Sequence, residues 1–145
     1  MIANNKVNLG RTTFIANTST THSNVTGDGT VYTVIFDTTT ANEGSNYNTS
    51  TGIFTAPVAG NYLFNTTVEL TGITSAMTYA QYAIAGTVTV YVNAYECSYS
   101  GTLIVSAPLT LALAQGATVA VTIQVAGGTK VVSIANSFFS GFQIL

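Results

Sequence analysis

Apolar and polar side chains alternate with a two-residue period in segment after segment of this chain, the pattern of a strand with one face buried and the other wet. From Asn61 to Glu69, the side chains of Tyr62, Phe64, Thr66 and Val68 fall on one face, and those of Leu63, Asn65, Thr67 and Glu69 on the other. From Thr118 to Val125, Val119, Val121, Ile123 and Val125 oppose Thr118, Ala120, Thr122 and Gln124. The pattern predicts strands over Thr12–Ala16, Thr30–Phe36, Gly52–Ala56, Tyr62–Leu70, Met77–Ile84, Thr87–Ala94, Leu103–Leu113, Thr118–Val125 and Ser137–Leu145. No segment reads as a helix. Thr26-Gly27-Asp28-Gly29, Ala59-Gly60-Asn61 and Gln115-Gly116 mark turns, while Pro57 and Pro108 mark strand ends or edges. Many short strands without helices must hide their apolar faces in two packed sheets or a closed barrel, so a single Greek-key sandwich is expected over residues 12–145, with residues 1–11 as a lead-in.

Charge narrows the function classes. Three basic and five acidic residues in 145 supply no cluster to neutralise a phosphate backbone, so nucleic acid is not an expected partner. No stretch reaches the roughly 18 apolar residues of a membrane-spanning helix. The first residues, Met1 to Lys6, lack the charged start and apolar run of a secretory signal. Sparse charge also leaves few lysine gatekeepers at sheet edges and faces, so exposed apolar surface is expected to be buried in a partner, most simply a second and third copy of the chain.

Four ordered motifs carry a family resemblance. They are Val31-Tyr32-Thr33-Val34-Ile35-Phe36-Asp37-Thr38 with Asn42 and Tyr47; Ser50-Thr51-Gly52-Ile53-Phe54-Thr55-Ala56-Pro57-Val58-Ala59-Gly60-Asn61-Tyr62-Leu63-Phe64; Leu113-Ala114-Gln115-Gly116-Ala117-Thr118-Val119; and Ser137-Phe138-Phe139-Ser140-Gly141-Phe142. Together they resemble the globular head domain of complement component C1q, a family that shares the tumour necrosis factor (TNF) jelly roll. The resemblance runs from about Phe14 to Leu145 and is loosest from Thr71 to Ser100. It implies a ten-stranded antiparallel jelly-roll sandwich, a homotrimer with both chain ends near its base, and variable loops at the opposite, apical end. The absence of the family's extra cysteines, the low charge and the segment Val25-Thr26-Gly27-Asp28-Gly29-Thr30 look more like bacterial and phage members, which often sit at fibre tips.

Candidate site residues follow from chemistry and from that resemblance. Tyr62, Phe64, Phe139 and Phe142 lie in the matching strands and are expected in the core or around the threefold axis. Tyr79, Tyr82, Tyr95 and Tyr99, in the divergent middle region with Tyr91, are the candidates for a receptor-facing or glycan-facing patch, because a tyrosine joins an apolar ring to a polar tip. His22 is the only histidine and reads as a solvated loop residue, without a nucleophile or an orienting partner. Cys97 has no adjacent basic group to lower its pKa and reads as an inert thiol. The carboxylates Asp28, Asp37, Glu43, Glu69 and Glu96 are spread along the chain with no tight pair for acid and base work. No catalytic constellation, cofactor or metal site is expected; calcium is the one ion the resemblance leaves open, since some relatives bind it near the apex.

The expected function is a non-enzymatic trimeric binding or structural head of a phage, viral or bacterial surface fibre that presents apical loops to a cell-surface receptor or glycan. The alternative is a secreted ligand or lectin-like recognition protein of the C1q and TNF type. Either places the chain on a virion or outside the cell.

Overall fold

The computed structural model describes residues 12–86, 89–95 and 100–144. Its strands, in chain order, are β1 (Thr13–Asn17), β2 (His22–Thr26), β3 (Val31–Thr33), β4 (Thr38–Asn42), β5 (Tyr47–Asn48), β6 (Ile53–Thr55), β7 (Gly60–Ile73), β8 (Tyr79–Gly86), β9 (Val90–Tyr95), β10 (Gly101–Leu113), β11 (Thr118–Ala126) and β12 (Val132–Ile144). A turn of 3-10 helix at Glu43–Ser45 is the only helical element among the described residues. The strands form two sheets of six: β10-β7-β12-β1-β4 with β2 also on β12, and β5-β6-β11-β8-β9 with β3 also on β11. Neighbours in both sheets run antiparallel; β1 and β2 share one edge of β12, Thr13 opposing Phe142 and Thr26 opposing Val132.

This is the expected jelly-roll sandwich with its strands more finely divided than the ten implied. The extra pieces are short or polar. β4 (Thr-Thr-Thr-Ala-Asn) and most of β2 (His-Ser-Asn-Val-Thr) lack apolar alternation, and backbone pairing to β1 and β12 recruits them. His22 accordingly sits on a strand and not in the expected loop. The lead-in, residues 1–11, lies outside the described residues.

An aromatic cluster fills the space between the sheets. Phe14 stacks on Tyr47 and on Phe54, each with ring centroids 5.0 Å apart, and meets Phe139 edge-on at 4.9 Å. Phe64 stacks on Phe139 at 5.7 Å and on Tyr62 at 6.2 Å. Gly141 is what lets these rings close up: a Cβ there would lie 2.6 Å from Phe14 Cε1 and 2.7 Å from Phe64 Cδ1, well inside contact distance. The β2–β3 turn, where the chain crosses from the first sheet to the second, is tied to β11 through buried Thr26, whose hydroxyl donates to the Thr30 carbonyl (2.6 Å) and accepts from the Val125 N–H (2.9 Å). Gly27, at φ 128°, takes a turn conformation that other residues rarely adopt. Pro108 falls in the middle of β10, which has a neighbour on one side only, the kind of edge strand in which a sheet tolerates a proline.

Candidate functional site: an apolar sheet face

Each strand of the first sheet has a second face, pointing away from the core. On β12, Ile134 and Phe139 point inward, and Phe138, Phe142 and Ile144 point outward. The pairing register lays the outward residues in rows across the sheet. Phe142 sits opposite Thr13 on one side and Leu63 on the other, and Leu63 opposes Thr110. Ser140 sits between Ile15 and Asn65, and Asn65 opposes Pro108. Phe138 lies between Asn17 and Thr67. Phe142 is 42% exposed, Phe138 39% and Ile104, on β10, 60%. Glu69 is the one charged residue in β1, β4, β7, β10 and β12, and its carboxylate accepts a hydrogen bond from Asn136 Nδ2 (3.0 Å). Apolar surface of this extent, with almost no charge to keep it wet or to repel other chains, has the character of an interface core.

The structure divides the four aromatics expected in the core or about an axis. Tyr62, Phe64 and Phe139 are fully buried within the subunit, and Phe142 stands on the outer face. Phe138, Ile15 and Ile144 accompany Phe142, and sequence reasoning did not single them out. The Phe138-Phe139 pair held the signal: adjacent strand residues point to opposite faces, so one of two neighbouring phenylalanines must leave the core.

The tyrosines of the middle region separate as well. Tyr82 is a correction: it is 1% exposed and faces the core with Ala80 and Ile84, the inward parity of β8. Burial pushes its hydroxyl pKa strongly upward, which fits packing and not a ligand-facing role. Tyr79 has the outward parity and is half-buried. Tyr91, on β9, is 59% exposed. Tyr95 ends β9, and Tyr99 lies outside the described residues, as do Glu96 and Cys97. Tyr47 is a core residue; desolvation raises its hydroxyl to about 12, against the opposing effect of the Phe36 N–H donating to it.

His22 is better connected than expected. Its Nδ1 shares a hydrogen bond with the Tyr32 hydroxyl (2.8 Å), and its Nε2 lies 4.0 Å from Asp37 Oδ2. Asp37 in turn accepts from the Ser19 N–H (2.6 Å), the Ser19 hydroxyl (2.9 Å) and the Thr20 hydroxyl (3.3 Å). These hydroxyls sit on the carboxylate and not on the imidazole, the wrong end of such an array for a Ser-His-Asp relay. The cluster is a structural tie between the β1–β2 turn and the segment leading into β4. Partial desolvation alone would raise the Asp37 pKa, but the Ser19 and Thr20 hydrogen bonds outweigh it and hold the carboxyl below its ordinary range. Because the folded value lies below the unfolded one, this stabilisation is complete above about pH 4 and is lost as pH falls through the folded value. Asp37→Asn is expected to cost about 1–2 kcal/mol at pH 7, since the hydrogen bonds are charge-assisted but partly exposed. In urea titrations the gap between the two proteins should narrow as pH falls below the ordinary carboxylate range; a gap independent of pH would mean that the carboxylate charge is not what holds the turn.

Among the described residues no three His, Cys, Asp or Glu side chains gather as metal ligands. Asp28 is committed to its own turn, accepting from the Thr30 N–H at 3.1 Å. Nor, among those residues, is any helix long and apolar enough to cross a membrane.

Two facing antiparallel sheets in this order, one with a sparsely charged outer face that carries Glu69 alone, define a jelly-roll domain. Residues 13–144 match the family model of the C1q domain, and the chain belongs to that family. The globular domain of a zebrafish complement 1qA protein is similar in structure, with a TM-score of 0.64 and 22% identity over 92% of this chain and 97% of that one. Murine APRIL (TM-score 0.63, 13% identity, 92% and 99% covered) and Eiger TNF from S. frugiperda (0.66, 11%, 93% and 93%) share the same architecture. No curated protein matches the sequence significantly. Domains of this family are typically trimeric, extracellular binding modules without enzymatic activity.

Proposed function

We propose that this chain is the non-enzymatic, homotrimeric binding head of a phage, viral or bacterial surface fibre. The observation that carries the trimer is the outer face of the β1/β12/β7/β10 sheet, where Phe138, Phe142, Ile15 and Leu63 stand among uncharged neighbours. Burial of that face in two further copies removes apolar surface from water and leaves the second sheet and the connecting loops free to meet a ligand. Three copies held together then bind a multivalent surface far more tightly than one, provided the geometry lets them engage at once. The fibre setting rests on the sparse charge and on a single cysteine in the whole chain, which leaves no intramolecular disulfide for stability. Membership of the C1q family supports a secreted ligand or recognition protein equally, and neighbouring capsid or tail genes, against a collagen-like stalk and signal peptide, separate the two settings.

The test is solution mass by light scattering at micromolar concentration, with and without a chelator. A mass near three times 15.0 kDa in both conditions is expected. A folded monomer would overturn the avidity mechanism, and loss of the trimer on chelation would assign an ion to the assembly.

A further inference from the structure

The outer face of the second sheet carries a shallow groove of about 250 Å³. Its floor is made of small side chains in register, Ala83 on β8 opposite Thr122 on β11, with Ala85 two residues further along β8. Ala83 points outward and yet is 3% exposed, because the larger residues around it rise on both sides. Tyr91 of β9, paired with Ala83, forms one wall; Val31 of β3, 60% exposed, forms the other. Gln81 and Gln124 face each other across the β8–β11 pair at one end. The Gln124 amide is held in place by donating from Nε2 to the Gly29 carbonyl (2.7 Å), which leaves the acceptor capacity of its Oε1 uncommitted by that bond. No charged residue lines the groove.

We propose that this groove binds a neutral saccharide, with one pyranose ring laid against Tyr91 and its hydroxyls met by Gln81 and Gln124. The chemistry selects that class. An exposed aromatic ring offers a flat apolar surface, which suits the C–H face of a sugar and has little to offer a fully hydrated ion. Carboxamides both donate and accept, as a ring of hydroxyls requires. An uncharged lining provides no counter-ion for a phosphorylated, sulfated or acidic ligand, which would lose its hydration without compensation. The volume is below the roughly 300–1,000 Å³ of pockets that enclose drug-sized ligands, so a single ring at the end of a glycan fits and a long chain does not. The groove lies on the sheet opposite the apolar face, so it is open to solvent in a monomer and in a trimer assembled through that face.

The experiment uses the full chain against methyl glycosides of neutral hexoses and N-acetylhexosamines, read by saturation-transfer NMR at millimolar sugar, and against an immobilised panel of neutral and sialylated glycans. At least one neutral sugar is expected to bind, with Tyr91→Ala and Gln81→Ala each weakening it by about tenfold, the loss of one stacking or hydrogen-bonding group, and Tyr91→Phe retaining it. Solution mass measured on the same variants is expected to be unchanged, so a failure of the groove is distinguishable from a failure of trimerisation. The proposal is overturned if no neutral sugar binds, if only sialylated glycans bind, or if binding survives both alanine substitutions.

Discussion

Phe139→Ala is expected to lower the unfolding free energy of the subunit by about 3–5 kcal/mol, the cost of emptying a phenylalanine site that cannot collapse. The site is enclosed by rings: Phe14 at 4.9 Å, Phe36 and Phe64 at 5.7 Å and Tyr47 at 6.1 Å, measured between centroids. These neighbours come from β1, β5, β7 and the segment after β3, so the cavity would open between both sheets at once. A loss of this size approaches the whole stability of many domains. The comparison that gives the result meaning is Phe138→Ala, one residue away and on the other face. It removes the same atoms from a side chain that is 39% exposed in the subunit, and is expected to change the unfolding free energy of an isolated subunit by no more than about 0.5 kcal/mol. Equal losses at the two positions, measured in guanidinium at a protein concentration low enough to keep the chain monomeric, would mean that the strand is turned over relative to the register described here.

That pair of residues also shows what the sequence can and cannot express. The two-residue period identifies the long strands β7, β10, β11 and β12, because each has an apolar parity long enough to read, and it places Tyr62, Phe64 and the Val119–Val125 series in the core. The same period gives Tyr82 the parity of Ala80 and Ile84, and the expectation of a ligand-facing Tyr82 set aside that pattern in favour of residue type. β2 and β4 were illegible for a different reason. Their side chains are mostly polar on both faces, and they exist because β12 and β1 present unsatisfied backbone groups along an open edge. The His22, Tyr32 and Asp37 cluster joins three separate segments, and its partners are set by pairing register and turn geometry, which no local window contains. The groove beneath Tyr91 is invisible for the same reason, since alanines on β8 read as filler until β9 and β11 are placed beside them.

The second large effect is on assembly. Phe138→Asp combined with Phe142→Asp is expected to convert a trimer into a folded monomer. Both side chains lie on the apolar outer face of β12, about four residues apart along one strand, where Ile15, Leu63 and Ile144 surround them. In the isolated subunit each new carboxylate would point into water and cost the fold little. In the assembly each would be desolvated against apolar surface with no cation at hand, because β1, β4, β7, β10 and β12 contain no lysine or arginine. Burying an unpaired charge costs several kcal/mol after relaxation. The symmetry of a closed oligomer repeats that cost in every copy. The summed penalty exceeds the roughly 8 kcal/mol that separates a micromolar association from none at the 1 M standard state. Light scattering should therefore fall to a mass near 15.0 kDa while the far-ultraviolet circular dichroism keeps its strand signature. Tyr91→Asp, on the opposite sheet, is the matched control and should leave the mass of the assembly unchanged. A double variant that remains trimeric would place the subunit contact elsewhere on the jelly roll, and the apolar face would then have to be covered by a different partner.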